Sequence, residues 1–158
     1  MKTQLVVFIA NYLYLFTALL ALIYFLALPR QSKKNFALLA VTALPTVYLA
    51  AQIAAALFFD PRPFVIGHFV PLIPHAPDNG FPSDHALLTG AIASLVFPFS
   101  KKLSLVLWLL ALAIGIARVM AGIHHPADIL GGMIIAATAT FAVNLALKRQ
   151  KILAYPRS

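Results

Sequence analysis

The sequence predicts an all-α, polytopic transmembrane helical bundle of about five spans. Composition is the first reason: of 158 residues, 62% are hydrophobic and only 10% charged. A soluble domain is nearer half apolar and a quarter charged. Mean hydropathy, at +0.92, is the second. The third is the recurrence of apolar runs of about 20 residues, the length a helix needs to cross a bilayer core. Length fits a single integral membrane domain over residues 1–158. The formal charge of +8 accompanies few polar residues, which makes the lipid bilayer the expected partner and excludes a nucleic-acid reading. No cysteine is present, so disulfides and thiolate metal sites are excluded.

The first run covers about residues 4–28 and ends at Pro29. It is too long for a signal-peptide core and reads as mature structure. The second covers about 35–59 and stops at Asp60-Pro61; the third, 83–100, is the shortest. The fourth covers 103–123 and the fifth 126–147. Arg30, Lys33 and Lys34 fill the first join, Lys101 and Lys102 the third, and Lys148, Arg149 and Lys151 follow the last span. Short loops rich in Lys and Arg stay cytoplasmic. With five spans these clusters share one side, which puts the N-terminus outside and the C-terminus inside, Lys2 being the exception.

The remaining polar chemistry then sorts to the outer face: all four Asp (60, 78, 84, 128), all five His (68, 75, 85, 124, 125), Arg62 and Arg118. The longest connection, residues 60–82, carries six of the eleven prolines. Phe64, Val65, Ile66, Phe69, Val70, Leu72 and Ile73 lie among them. Such a loop is too apolar for a free linker and is expected to pack on helix ends or enter the headgroup layer.

Three constellations lie on that face. Arg118 falls in the outer part of the fourth helix, where a cation is costly unless it faces the bundle interior or snorkels to the headgroups. A continuous helix would put Arg118 and His124 about 240° apart. Gly122 and Pro126 instead suit a helix end and a helix start, so the turn returns Arg118 over His124. Asp128 follows His124 by four residues and can fix its tautomer, the base–orienter half of a nucleophilic site. Structurally, the same residues read as a helix cap. In Phe81-Pro82-Ser83-Asp84-His85, Ser83 suits an N-cap and Asp84 a first turn, while His85 lies beside free amides. Arg62 is held between Pro61 and Pro63. Two helix starts and two arginines suit a phosphate-like anion.

Together these residues resemble the type-2 phosphatidic acid phosphatase superfamily, whose signatures are Lys-x6-Arg-Pro, Pro-Ser-Gly-His and Ser-Arg-x5-His-x3-Asp. The matches are Arg62-Pro63, Pro82-Ser83-x-His85 and Arg118-x5-His124-x3-Asp128, over about residues 52–132. The resemblance implies a metal-independent phosphohydrolase with no cofactor. His124 would attack phosphorus and form a phosphohistidine, Asp128 would orient it, and His85 would protonate the leaving oxygen. Arg62, Arg118 and Ser83 would hold the phosphoryl oxygens. Three positions depart: Ala55 stands where the family has Lys, Asp84 where it has Gly, and Ala117 where it has Ser. Gln52, about one turn from position 55, is a candidate replacement for the lost cation. The Pro-Ser-Asp-His variant behind a proline-rich loop is similar to the bacitracin-resistance type of undecaprenyl-pyrophosphate phosphatase. That likeness implies undecaprenyl diphosphate as substrate and a bacterial inner membrane with the site facing outward.

Asp84 and His125 are expected beside the reacting groups, with His125 otherwise a plain turn residue. His68 and His75 read as loop residues, or as contacts to a substrate headgroup. A zinc site is disfavoured, because no His pair has helical ligand spacing and neither Cys nor Glu assists. Within the phosphatase class, the rival substrates are phosphatidic acid, phosphatidylglycerol phosphate and lipid A. Outside it, the rivals are a small ion transporter or channel using Arg118 and the histidines, and a structural membrane subunit.

Overall fold

The structure, a computed structural model, describes residues 2–153. The described residues form six helices: α1 (Lys2–Ala27), α2 (Arg30–Leu57), α3 (Pro63–Ile66), α4 (Asp84–Val96), α5 (Lys101–Met120) and α6 (Pro126–Arg149). Among the described residues there is no strand, only an isolated bridge between Pro61 and Asn79. The all-α expectation holds. Four helices, α1, α2, α5 and α6, are long and apolar enough to cross a membrane. The run expected at 83–100 forms a helix of only 13 residues, about 20 Å long at 1.5 Å per residue. That is short of a bilayer core of about 30 Å. Residues 97–100 turn instead of extending it.

Helix ends also differ from the apolar runs. Arg30, Lys33 and Lys34 lie in the opening turns of α2, Lys101 and Lys102 open α5, and Lys148 and Arg149 close α6. A long basic side chain at a helix end carries its charge toward water while its stem covers apolar surface, so charge does not end these helices.

Large apolar side chains line the outside of the bundle, among them Phe8, Leu15, Leu19, Ile23, Val41, Leu49, Leu109, Ile116, Ile134 and Phe141. In water such a surface would drive association; in a bilayer it is the solvated face. Inside, small residues bring helices close. At Gly132 of α6 a Cβ would come within 3.0 Å of the Ser83 carbonyl and 3.1 Å of the Leu87 amide nitrogen of α4. Close approach at small residues is how helices pack where no hydrophobic effect drives them together.

The short joins make successive helices reverse. Arg118 near the end of α5 donates to the Ala10 carbonyl in α1, and the Ser83 amide before α4 donates to the Asp128 carbonyl in α6. The starts of α1, α4 and α6 therefore share one end of the bundle with the ends of α2 and α5. The basic residues of α2, α5 and α6 gather at the other end, where Phe36 meets Phe99 and Leu153 packs with Leu39 and Leu95.

The proline-rich loop packs as expected on the first of these ends. Ile73 is buried with Ala10, Ala117, Ala121 and Ile123, and Phe64 joins them. The Leu72 amide donates to the Ala121 carbonyl at 3.0 Å. Gly122 turns the chain after α5 with φ +78, and Phe69 covers it closely enough to leave no room for a Cβ. Ile66, Phe69, Val70 and Leu72 stay exposed, an apolar rim around the helix ends.

Candidate active site

The chain after α5 turns at Gly122 and starts α6 at Pro126, which places His124 and His125 in the bend. His124 is buried and Asp128 fully so. His124 Nδ1 lies 3.2 Å from Asp128 Oδ2. A carboxylate only accepts, so Nδ1 carries the proton and neutral His124 presents the Nε2 lone pair. The same Asp128 oxygen accepts from the His125 amide at 2.8 Å. The helix-cap and orienting roles thus coincide in one side chain.

Two guanidiniums flank that lone pair. Arg62 Nη1 and Arg118 Nη2 each lie 3.4 Å from His124 Nε2. Arg62 is fixed by donating from Nη1 to the Ile123 carbonyl at 2.8 Å and from Nε to Asp78 Oδ1 at 2.6 Å. Arg118 is buried, so it faces the bundle and does not snorkel. Its Nη1 donates to the Ala10 carbonyl at 3.3 Å, and its Nε has no protein partner.

Ser83 takes the N-cap position of α4, but its side chain makes no capping bond. It is fully buried with Oγ unpartnered. A buried polar group without a partner costs roughly 1–3 kcal/mol, and capping does not account for this one. His85, in the first turn of α4, stands edge-on to Tyr14 with ring centroids 4.9 Å apart. It is near enough to Arg118 and His124 to feel their charges. Asp84 is exposed, within electrostatic reach of Arg118. His125 is half-buried, with Nδ1 3.1 Å from Asp60 Oδ2.

Burial is the main influence pulling His124 below the usual histidine range, and the positive charges of Arg118 and Arg62 add to it; the hydrogen bond to Asp128 opposes both. Asp60 is pushed above the usual carboxylate range, first by burial and then by the charge and hydrogen bond of Asp128, with His125 pulling back. Burial also raises Asp78, but the hydrogen bond and charge of Arg62 outweigh it and hold Asp78 low.

Several groups at the site carried no motif. Asp78 pairs with Arg62 from sixteen residues away. Asn79 donates to the carbonyls of Ala55 and Phe58 at the end of α2 and accepts from the amides of Asp60 and Phe81. Asp60, His125 and Asp128 could hold a metal ion, their ligand atoms all lying within 4.8 Å of one another. Helical spacing alone could not reveal that cluster, because Asp60 comes from another part of the chain. These atoms already bond to one another and to His124. Gln52, proposed for the missing lysine, is exposed on α2. Two apolar cavities, of about 360 and 250 Å³, lie apart from this cluster on α4–α6.

Residues 34–152 match the PAP2 superfamily. The chain belongs to that family. It is 36% identical over 135 residues to "Undecaprenyl-diphosphatase BcrC" of Bacillus subtilis (strain 168), covering 84% of this chain and 68% of that one. It is 34% identical over 137 residues to "Bacitracin transport permease protein BcrC" of Bacillus licheniformis, covering 85% of this chain and 66% of that one. The chain thus spans about two thirds of the length of these relatives. The crystal structure of Aquifex aeolicus LpxE shares its fold, with TM-score 0.70 at 23% identity over 90% of this chain and 86% of that one. The resemblance read from three short motifs thus extends over most of the chain.

Proposed function

We propose that this PAP2-family chain is a membrane lipid phosphatase that hydrolyses undecaprenyl diphosphate to undecaprenyl phosphate and inorganic phosphate. The observation that carries the reading is the single nucleophile-like nitrogen, His124 Nε2, set between two guanidiniums and aimed by a fully buried carboxylate. Phosphoryl transfer asks mainly for in-line placement and stabilisation of charge on the equatorial oxygens. Arg62, Arg118 and the Ser83 hydroxyl supply that charge and those donors. Relatives named for bacitracin and for undecaprenyl diphosphate support the choice of lipid.

In the first step His124 Nε2 bonds to the terminal phosphorus while the bond to the bridging oxygen breaks, and His85 gives that oxygen its proton. The dianionic substrate supplies the charge that favours an imidazolium at His85. In the second step His85, now neutral, takes a proton from water. The resulting hydroxide displaces the phosphoryl group from His124 and releases phosphate. Asp128 holds the Nδ1 proton throughout.

The lipid tail stays among the exposed apolar side chains of the bundle, and the rim of Ile66, Phe69, Val70 and Leu72 meets the headgroup layer. The basic end of the bundle supports an orientation with that end cytoplasmic and the site at the outer face of a bacterial inner membrane.

A panel of lipid phosphates assayed in detergent, with wild type and His124→Ala side by side, tests the reading. We expect prenyl diphosphate to be the preferred substrate, His124→Ala to abolish phosphate release while remaining folded, and EDTA to leave the rate unchanged. If prenyl diphosphate is the poorest substrate, the lipid assignment fails and phosphatidic acid, phosphatidylglycerol phosphate or lipid A takes its place. Ion flux in liposomes without any phosphate release would favour the transporter class.

A further inference from the structure

The family's first motif opens with a lysine, and this chain has Ala55 there. The Ala55 side chain carries no polar group, and its carbonyl is taken by Asn79 Nδ2. The anion site therefore lacks one donor on the α2 side. Another histidine comes to the site from the proline-rich loop. His75 is half-buried, its ring centroid 6.3 Å from that of His124 at an interplanar angle of 72°. Its Nδ1 is buried with no hydrogen-bond partner, the nearest carboxylate being Asp78 Oδ1 at 4.0 Å.

The loop holds His75 in place between two anchors. On one side Ile73 is buried against the ends of α1 and α5, and the Leu72 amide is bonded to Ala121. On the other, Asp78 is bonded to Arg62 and Asn79 to the end of α2. Pro71, Pro74 and Pro77 restrict the backbone between them. His68, in the same loop, is exposed at φ +50.

We propose that His75 is a substrate-binding residue, donating to the phosphate held by Arg62 and Arg118 and so replacing, from the loop, the donor that position 55 lacks. The proposal rests on the phosphatase reading and assigns one more contact within that site.

The groups facing His75 are Asp78 from its own loop, Arg62 from the start of α3, Arg118 from α5, His124 from the α5–α6 turn and His85 from α4. Burial first, and then the charges of Arg62 and Arg118, hold His75 below the usual histidine range, while the nearby Ala76 backbone and the charge of Asp78 pull the other way. An arriving phosphate dianion reverses that balance, so binding takes up a proton at His75.

The test measures KM for prenyl diphosphate and competitive inhibition by inorganic phosphate, for wild type, His75→Ala and His75→Gln, between pH 5 and 9. Loss of a hydrogen bond to a charged group weakens binding about tenfold or more. We expect His75→Ala to raise both KM and the phosphate inhibition constant by that factor, with a smaller change in kcat. His75→Gln keeps an N–H donor without the charge and recovers part of the loss. The ratio of the His75→Gln to the wild-type inhibition constant cancels the ionisation of phosphate itself and should rise on acidification. Inhibition constants within twofold of wild type for His75→Gln, with a ratio flat in pH, would overturn the proposal even if His75→Ala failed to fold. Hydrolysis by wild type with unchanged variants removes this inference alone; a wild type that hydrolyses none of the lipid phosphates removes the phosphatase reading with it.

Discussion

In the proposed mechanism His124 concentrates the chemistry of the site in one nitrogen. Its neutral form keeps the Nε2 lone pair; protonation would remove it and add a third positive charge beside Arg62 and Arg118. Activity is therefore lost as pH falls through the titration of His124, which burial and the two arginines hold below 6.5 against the pull of Asp128. In a kcat/KM profile, which reports the free enzyme, the acid limb should have its midpoint below 6.5; loss of the His85 proton belongs to the substrate complex and should bring down the alkaline limb of kcat. A midpoint above 7, or a profile flat from pH 4 to 9, would remove His124 from its role. Asp128→Asn should lower kcat by about a hundredfold or more, because the amide no longer enforces the tautomer. The His-x3-Asp pair and both arginines were legible in the sequence because their spacing carries the geometry. The partners of Arg62 were not, since Asp78 and Ile123 reach it across sixteen and sixty-one residues with no local pattern to mark them. Ser83 was legible as a helix start, but only the structure shows that its buried Oγ makes no capping bond, which supports the proposed phosphate-donor role.

At the scale of elements, the closeness of α4 to α6 keeps Ser83 beside Asp128 and His85 within electrostatic reach of His124. Two glycines on this interface face different neighbours. A Cβ at Gly132 meets backbone atoms of Ser83 and Leu87, whereas one at Gly90 meets the Ala136 methyl at 3.2 Å and the Trp108 ring at 3.3 Å. Backbone cannot turn aside as a side chain can, so Gly132→Ala must move α4 away from α6. Overpacking of this kind costs about 1–3 kcal/mol. It also shifts Ser83 relative to His124. We expect Gly132→Ala to lower both the midpoint of a thermal melt in detergent and kcat. Gly90→Ala, farther from the reacting groups, should keep kcat near wild type. Equal loss of kcat in the two variants would mean that the interface contributes stability without positioning the site. The sequence could not show this contact, and it also overstated α4: the apolar run 83–100 includes residues that turn, and hydropathy does not distinguish a helix from the turn that ends it.

For the whole molecule, the segregation of charge supports the proposed orientation. Arg30, Lys33, Lys34, Lys101, Lys102, Lys148 and Arg149 lie at one end, and Arg62, Arg118 and the histidines at the other. The first group is exposed or half-exposed and within reach of water, as the positive-inside rule would require if that end is cytoplasmic. The two arginines of the second group are buried and bonded, so they do not count as loop charges. A lipid whose headgroup enters the site keeps its tail in the same leaflet, so the orientation also decides which leaflet is served. The chain has no cysteine, which makes single-cysteine labelling clean. Ala76 is exposed in the proline-rich loop and Gln150 at the basic end. In intact bacterial cells a membrane-impermeant maleimide should label Ala76→Cys directly, and Gln150→Cys only after the inner membrane is permeabilised. The reverse pattern would turn the molecule over and put the phosphatase site on the cytoplasmic leaflet. Labelling of both positions in intact cells would break the pairing of helix ends on which the site depends, since α6 would no longer carry Asp128 and Gln150 to opposite faces.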